Sequence, residues 1–285
     1  MQFEFPWALG PEPGRHTIRE QLGEPPSHVL VVSVLGAPER RRLLSRRRTR
    51  SVAAAPDPPP EPVVTSRATL VDTAAVDGYE VAATWLAGAD LDGLAQEGLV
   101  RLNRVLHAHR IAAADPYARE VARAQALVVR VGFGRGEHVA DGRWDRAREL
   151  PAAERQVRGL RGGAGRVRAL RSQERLAALL AARDVALACE ELTLRVRLDA
   201  DAARWREAAL GLRIAFEAAL AELEPWREVT GLAERLAQLR EHRADVGAAA
   251  NAALHGGLDD AQIELVGVVL GRVEAALRAR TAAGV

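Results

Sequence analysis

The sequence contains no lysine, one cysteine and few aromatic residues. The first two of these shortages each exclude a class of protein. All 40 basic side chains are arginine, which excludes the lysine-dependent phosphate loop of nucleotide hydrolases. Cys189 alone can form neither an internal disulfide nor a thiolate zinc cage. Apolar runs stay well short of the roughly 18 residues of a membrane-spanning helix, and residues 1–10 lack the pattern of a signal peptide. We therefore expect a cytoplasmic protein without membrane association, metal or cofactor.

The rest of the composition is that of a folded globular chain. Its 285 residues include 48% apolar and 27% charged side chains, with 40 basic residues against 38 acidic ones. These fractions lie near the average for globular proteins and away from disordered or collagen-like chains. The length predicts one or two domains of ordinary size, and we expect two.

The arginines are unevenly distributed, because two segments contain arginine and no acidic residue. The first precedes a proline-rich run at 56–62, and the second, at 155–171, is interspersed with glycine. Guanidinium groups match phosphate oxygens, so both segments are candidate contacts for nucleic acid or another polyanion. The alternative is a solvated loop that shares the arginine bias of the whole chain. The candidate anion contacts are Arg40, Arg41, Arg42, Arg46, Arg47, Arg48, Arg50, Arg161, Arg166 and Arg168.

The N-terminal half shows the alternation and turn signals of a small sheet. Residues 1–27 carry no clear period, and we expect an irregular segment there. The predicted strands are 28–35, 63–72 and 126–133, with a short fourth at 138–140, and the predicted helices are 78–86 and Asp90 or Asp92 to about Ala113. These elements predict a small α+β domain over 28–150, with three or four strands and one or two helices. An arginine- and proline-rich excursion at 40–62 interrupts it.

The C-terminal part has helical spacing throughout. Apolar residues recur three and four positions apart from Ser172 onward, and short loops between such helices make them antiparallel neighbours. The predicted helices are 172–198, Asp199 or Asp201 to about Pro225, Thr230 to about Gly256, and a fourth that begins at Asp259 or Asp260. We therefore predict an arginine- and glycine-rich linker over 151–171 and an antiparallel helical bundle over 172–285.

Glycines inside the predicted helices need an explanation. Each costs about 1 kcal/mol relative to alanine inside an exposed helix. They indicate either close approach of two helices or helix ends placed wrongly. The four positions are Gly211, Gly247, Gly267 and Gly271.

A glycine-rich run, Gly132–Gly136, follows the third predicted strand, as phosphate-binding glycines do. Its third glycine comes one residue too early for a dinucleotide fingerprint, so we interpret the run as a hairpin turn or bulge, with an anion loop as the alternative. A pocket at this run would be bordered by Trp144 and by His107 or His109. The candidate pocket residues are Gly134, Arg135, Gly136 and His138.

Nucleophiles and metal ligands are scarce. Cys189 lies between Leu187 and Leu192 on a predicted helix, where a core residue is expected. His107 and His109 are two residues apart, which places them on different faces of a helix and argues against a shared metal ion. Because the sequence shows no recognisable set of catalytic residues, it favours a protein without enzymatic activity and leaves an enzyme as the alternative.

Three hypotheses for the function follow. The first is an intracellular interaction or scaffold protein that contacts a protein partner, or a second copy of itself, through the C-terminal helical bundle. The second is nucleic-acid or polyanion binding through the arginine-rich segments. The third is a small-molecule enzyme with a site near the Gly132–Gly136 run, and a cavity at that run would favour it.

Overall fold

The computed structural model describes residues 1–21, 23–36, 64–151 and 173–282. The chain divides into two compact units, Met1–Arg161 and Gly162–Val285. In the described residues the first unit combines a sheet with helices and the second is helical, which confirms the predicted α+β class. All ten candidate anion contacts lie outside the described residues.

The first unit contains one antiparallel sheet, with six strands among the described residues, in the order β2-β3-β4-β1-β5-β6. The strands are β1 (Gln2–Phe5), β2 (Gly14–Ile18), β3 (His28–Leu35), β4 (Thr65–Asp72), β5 (Val128–Phe133) and β6 (Arg146–Leu150). The short strand β1 occupies the middle, where Phe3 lies opposite both Ala68 of β4 and Val129 of β5. The N-terminal residues are therefore central to the sheet.

The sheet differs from the prediction at three places. The expected irregular segment over 1–27 is wrong, because β1 and β2 lie within it. The expected short strand at 138–140 is also wrong, because these residues belong to a 3₁₀ turn, Gly136–Asp141. Strand β6 was not predicted, since its sequence alternates arginine with alanine and most of it is exposed. Short, polar edge strands of this kind carry little hydrophobic signal.

Two helices cover one face of the sheet, α1 (Tyr79–Gly88) and α2 (Leu91–Ala112). The side chain of Asp90 accepts a hydrogen bond from the backbone N–H of Gly93 at 3.1 Å and caps α2, one of the two predicted caps. Successive strand residues point to opposite faces, and the core between sheet and helices includes Phe3, Phe5, Leu30, Leu70, Leu86, Leu99 and Leu102. This arrangement fixes α1 and α2 above the sheet.

The 3₁₀ turn covers the opposite face. Gln2, which alternates with Phe3 along β1, donates through Nε2 to the carbonyl of Val139 at 3.3 Å. Arg67 donates to the carbonyl of Ala140 and pairs with Glu4 at 2.8 Å. The connection between β5 and β6 is therefore folded back onto the sheet and is held there by hydrogen bonds from buried polar side chains.

The second unit packs helices around a shared core. They are α3 (173–180), α4 (Ala188–Asp201), α5 (Trp205–Glu222), α6 (Leu232–Glu241), α7 (Arg243–His255) and α8 (Asp260–Ala282). The predicted helix over 172–198 is interrupted at 181–187, and the predicted third helix is divided at His242. Cys189 is fully buried in this core, and burial raises the pKa of its thiol to about 12, as fits a core residue rather than a nucleophile.

Candidate functional site

A cavity of about 760 Å³ lies at one end of the sheet in the first unit. Because the strands are antiparallel, this is the end where β4 and β5 finish and where β1 and β3 begin. Helices α1 and α2 and the loop over 73–78 complete the wall, together with the connection between β5 and β6. Leu35 and Thr65, the strand residues nearest the segment 37–63, pair at the opposite end of the sheet.

The wall of the cavity contains several aromatic side chains. Four of the chain's 11 aromatic residues line it among the described residues: Tyr79, Trp85, Phe133 and Trp144. The ring of Tyr79 meets that of Phe133 edge to face, with centroids 5.4 Å apart. Tyr79 and Trp85 remain 52% and 43% exposed. Exposed aromatic surface gathered in one concave place is typical of a binding site.

Local backbone chemistry places these rings. Gly78, with φ of 91°, turns the chain directly before α1 so that Tyr79 opens the helix at the cavity. Gly132 lets β5 and β6 approach closely, because a Cβ there would lie 2.4 Å from the carbonyl oxygen of Arg146. The next residue, Phe133, thereby ends β5 at the cavity wall.

The structure brings only part of the predicted pocket together. Gly134 and Gly136 line the cavity, and Trp144 borders it as expected, whereas Arg135 and His138 lie outside the described lining. Gly136 has φ of 56° and begins the 3₁₀ turn. The glycine-rich run therefore forms a turn that closes one side of the cavity.

The two histidines expected at the border lie elsewhere on α2. Nδ1 of His107 is 3.1 Å from Nη2 of Arg110 and 3.7 Å from the carboxylate of Glu120. His109 lies against the backbone of Gly10, where a Cβ would come within 2.5 Å of the imidazole ring. Neither ring is among the described lining residues, so the histidine of the cavity is a different one, His28.

Two polar atoms at the cavity are buried without a hydrogen-bond partner in the part of the chain that the structure describes. They are Nδ1 of His28 and Nε1 of Trp144. Burial lowers the pKa of His28, and the positive charge of Arg101 lowers it further, which favours the neutral imidazole. Tryptophan can only donate, whereas a neutral imidazole nitrogen donates or accepts according to its tautomer. Buried polar groups are rarely left unpaired, but both atoms are closed off from solvent, so a molecule in the cavity reaches them only if neighbouring side chains move.

The charged side chains of the lining are mostly acidic. Three carboxylates, those of Asp72, Glu97 and Asp145, accompany one guanidinium, that of Arg101. Arg101 pairs with Glu97 at 3.4 Å along α2. Asp72 accepts a hydrogen bond from the backbone N–H of Ala74 at 2.9 Å, but neither Asp72 nor Asp145 forms an ion pair within the described residues. Among the described residues, two carboxylates therefore face the cavity without an ion-pair partner, although the charge of Asp72 acts on the Met1 amino group and on His28 and partly offsets the lowering of both pKa values by burial.

Met1 closes the floor of the cavity between the sheet and α2. Its amino group donates to the carbonyl of Leu70 at 2.7 Å, and burial lowers the pKa of this group to about 6. Its side chain lies against Gly98, where an added Cβ would meet the sulfur at 2.2 Å. Gly98 thus allows the close approach of α2 to the first strand.

Sequence reasoning missed the residues that reach the cavity from distant parts of the chain, notably Asp72, Tyr79, Trp85 and Arg101. One signal was present in the sequence. The buried face of α1 consists of Ala82, Ala83 and Leu86. Tyr79 lies on this apolar stripe, at the first turn of the helix, whereas Trp85 lies off it. In a chain with so few aromatics, a tryptophan placed off the stripe indicates a role other than core packing.

No family model, curated protein or solved structure matches the chain. Across the described ranges, no group of three or more His, Cys, Asp or Glu side chains is arranged to hold a metal ion. In those same ranges, none of the helices has both the length and the apolar surface needed to cross a bilayer. The case for a functional site consequently depends on the geometry and chemistry of the cavity.

Proposed function

We propose that the first unit binds a small organic molecule in the cavity at the end of its sheet. The observation that carries this proposal is the combination, in one cavity, of four aromatic side chains with two carboxylates that form no ion pair in the described structure. The volume of about 760 Å³ falls within the range of small-molecule sites, roughly 300 to 1,000 Å³. The aromatic rings supply apolar contact, and the carboxylates of Asp72 and Asp145 supply polar contact.

Binding alone accounts for this arrangement, without a catalytic step. The described lining contains one imidazole and three carboxylates, and none of these carboxylates forms a hydrogen bond with the imidazole of His28 in the described structure. General acid–base chemistry needs a base that is positioned by a second group and aimed at a substrate proton. We therefore describe the unit as a ligand-binding module.

A neutral environment-sensitive dye, 6-propionyl-2-(dimethylamino)naphthalene, tests the proposal with the full chain. The dye should bind with a blue shift of its emission, and Ala75→Trp should weaken binding at least about tenfold, because the new ring occupies the space of the ligand. Ala87→Trp is the matched control, since Ala87 is also exposed but lies on α1 outside the lining. Equal binding by the parent chain and both variants would contradict the proposal.

A second proposal concerns the helical bundle, which we infer contacts a protein partner or a second copy of the chain. Leu194 and Leu198, one turn apart on α4, are 67% and 43% exposed and support this inference. Light scattering after size exclusion should show a dimer that Leu194→Glu abolishes. A monomer at every concentration would contradict the proposal that the bundle binds a second copy of the chain.

Polyanion binding by the arginine-rich segments remains a third proposal, supported by the sequence alone.

A further inference from the structure

The chemistry of the cavity also narrows the class of its ligand. Aromatic faces carry negative electrostatic potential, and they attract organic cations in addition to apolar groups. Two of the four rings, Tyr79 and Trp85, lie on α1, line the cavity and remain about half exposed. A ligand in the cavity therefore meets aromatic surface as well as aliphatic side chains.

The acidic side chains add a net negative field at the same place. Asp72 lies at the end of β4, and Asp145 directly precedes β6. Strands β1 and β5 lie between β4 and β6 in the sheet, and both aspartates line the cavity. The guanidinium of Arg101 already pairs with Glu97. A carboxylate or phosphate ligand would face two carboxylates without ion-pair partners, whereas a cation would be attracted to them.

We propose that the cavity binds a substituted ammonium ion. This inference depends on the proposed function, because it names the ligand class of the same site. The ammonium group lies among the aromatic rings near Asp72 and Asp145.

Two probes of nearly equal shape isolate the effect of the positive charge. Acetylcholine is an ammonium ester, and 3,3-dimethylbutyl acetate is its neutral analogue with carbon in place of nitrogen. Competition with the naphthalene dye on the full chain should show the cation binding about tenfold more tightly than the neutral analogue. The double variant Asp72→Asn, Asp145→Asn should remove most of that preference and leave binding of the neutral analogue unchanged. Asparagine at position 72 keeps the oxygen that accepts from Ala74.

The control must change the net charge equally while sparing the lining. Glu12→Gln with Asp141→Asn does so, because both acidic residues are exposed and lie outside the lining and outside the loop over 73–78, and this double variant should retain the preference for the cation. Dye binding that depends on position 75, combined with equal affinity for the two probes, would overturn the inference and leave the proposed function standing. Loss of all dependence on position 75 would overturn both.

Discussion

The two units compensate their buried polar groups differently. In the second unit Arg280 is only 1% exposed, and its guanidinium lies 2.7 Å from Asp184, 3.5 Å from Glu190 and 4.5 Å from the ring centroid of Trp226, although its Nε and Nη1 have no hydrogen-bond partner in the described structure. In the first unit the buried nitrogens of His28 and Trp144 have no partner among the described residues, and both side chains line an open cavity. Carboxylates balance the buried charge of the second unit, which indicates a structural role, whereas no described side chain compensates the two nitrogens of the first unit.

The hydrophobic cores of the two units also differ, in the size of their side chains and in how completely they are packed. Large side chains fill the core of the first unit, among them Phe3 and Phe5, and the packing stops short of the end where the cavity lies. Alanines are numerous in the core of the second unit, alongside leucines and valines, and they let the helices approach closely. Those nearly or fully buried are Ala208, Ala209, Ala215, Ala219, Ala249, Ala253 and Ala276. The second unit is therefore the part whose stability depends on exact packing and on its ionic cluster.

Arg280→Met tests the ionic cluster and should have the largest effect. It leaves Asp184 and Glu190 with Arg175 as their one basic partner among the described residues, and breaking a buried pair on one side costs about 3 to 5 kcal/mol. Peptide-resolved hydrogen exchange of the full chain should report this loss in α4 and α8. Arg278→Met is the control, because Arg278 is 64% exposed and pairs loosely with Glu274, so its loss costs less than about 1 kcal/mol. If Arg280→Met loses as little stability as Arg278→Met, the ionic cluster is dispensable.

Two glycine substitutions test the packing of the helices. A Cβ at Gly211 on α5 would lie 2.9 Å from Cγ2 of Val196 on α4, whereas no described atom lies within 4 Å of one at Gly267 on α8. Gly211→Ala should lose about 1 kcal/mol, since overpacking outweighs the gain in helix propensity. Gly267→Ala should gain about 0.5 to 1 kcal/mol from propensity alone. The same hydrogen-exchange experiment measures both, and a gain at both positions would show that α4 and α5 can separate without cost.

These glycines show what helical spacing can and cannot predict. The sequence indicated either close approach or misplaced ends, and Gly211 is a close approach, whereas Gly267 lies inside a continuous helix beside open space. The break between α3 and α4 gave no signal, because Ala182 takes the left-handed conformation, with φ of 53°, that usually requires glycine. The break at His242 is hidden for a similar reason, since the apolar stripe runs on from Leu239 to Val246 across it.

In the sheet and in the cavity alike, the features that local sequence encodes were predicted, and those that depend on long-range contacts were not. Strands β3, β4 and β5 were predicted because each is a run of apolar and β-branched residues, whereas β1 has only four residues, and the exposed edge strands β2 and β6 carry arginine. Gly134, Gly136 and Trp144 were expected at one site because they follow β5 in the chain. Asp72 and Arg101 reach the cavity only through pairing of β4 with β1 and packing of α2 on the sheet, which are long-range contacts that periodicity does not encode.

The last and smallest expected effect is a difference between the two units in how acid changes their stability. Burial lowers the pKa of His28 in the folded chain, so between that pKa and the unfolded value of about 6.5 the unfolded chain binds more protons. The contribution to stability is complete above the unfolded pKa and is lost as the pH falls through the folded one. In the second unit burial raises the pKa of Asp184, but hydrogen bonds from Val185, Arg175 and Arg280 bring it below its ordinary value.

Asp184 therefore stays ionised between pH 7 and 5, and acidification over this range should loosen the first unit and spare the second. Hydrogen exchange of β3 and β4 should accelerate at pH 5 relative to pH 7, after correction for the intrinsic rate. His28→Gln should reduce this acceleration in part, because the buried amino group of Met1, whose pKa burial lowers to about 6, gains a proton over the same range and destabilises the same sheet. His138→Gln is the matched control, because His138 is exposed in the same unit. If His138→Gln protects the sheet as well as His28→Gln does, the buried imidazole is not the group that responds. The contrast between paired and unpaired buried groups would then lose its support from titration.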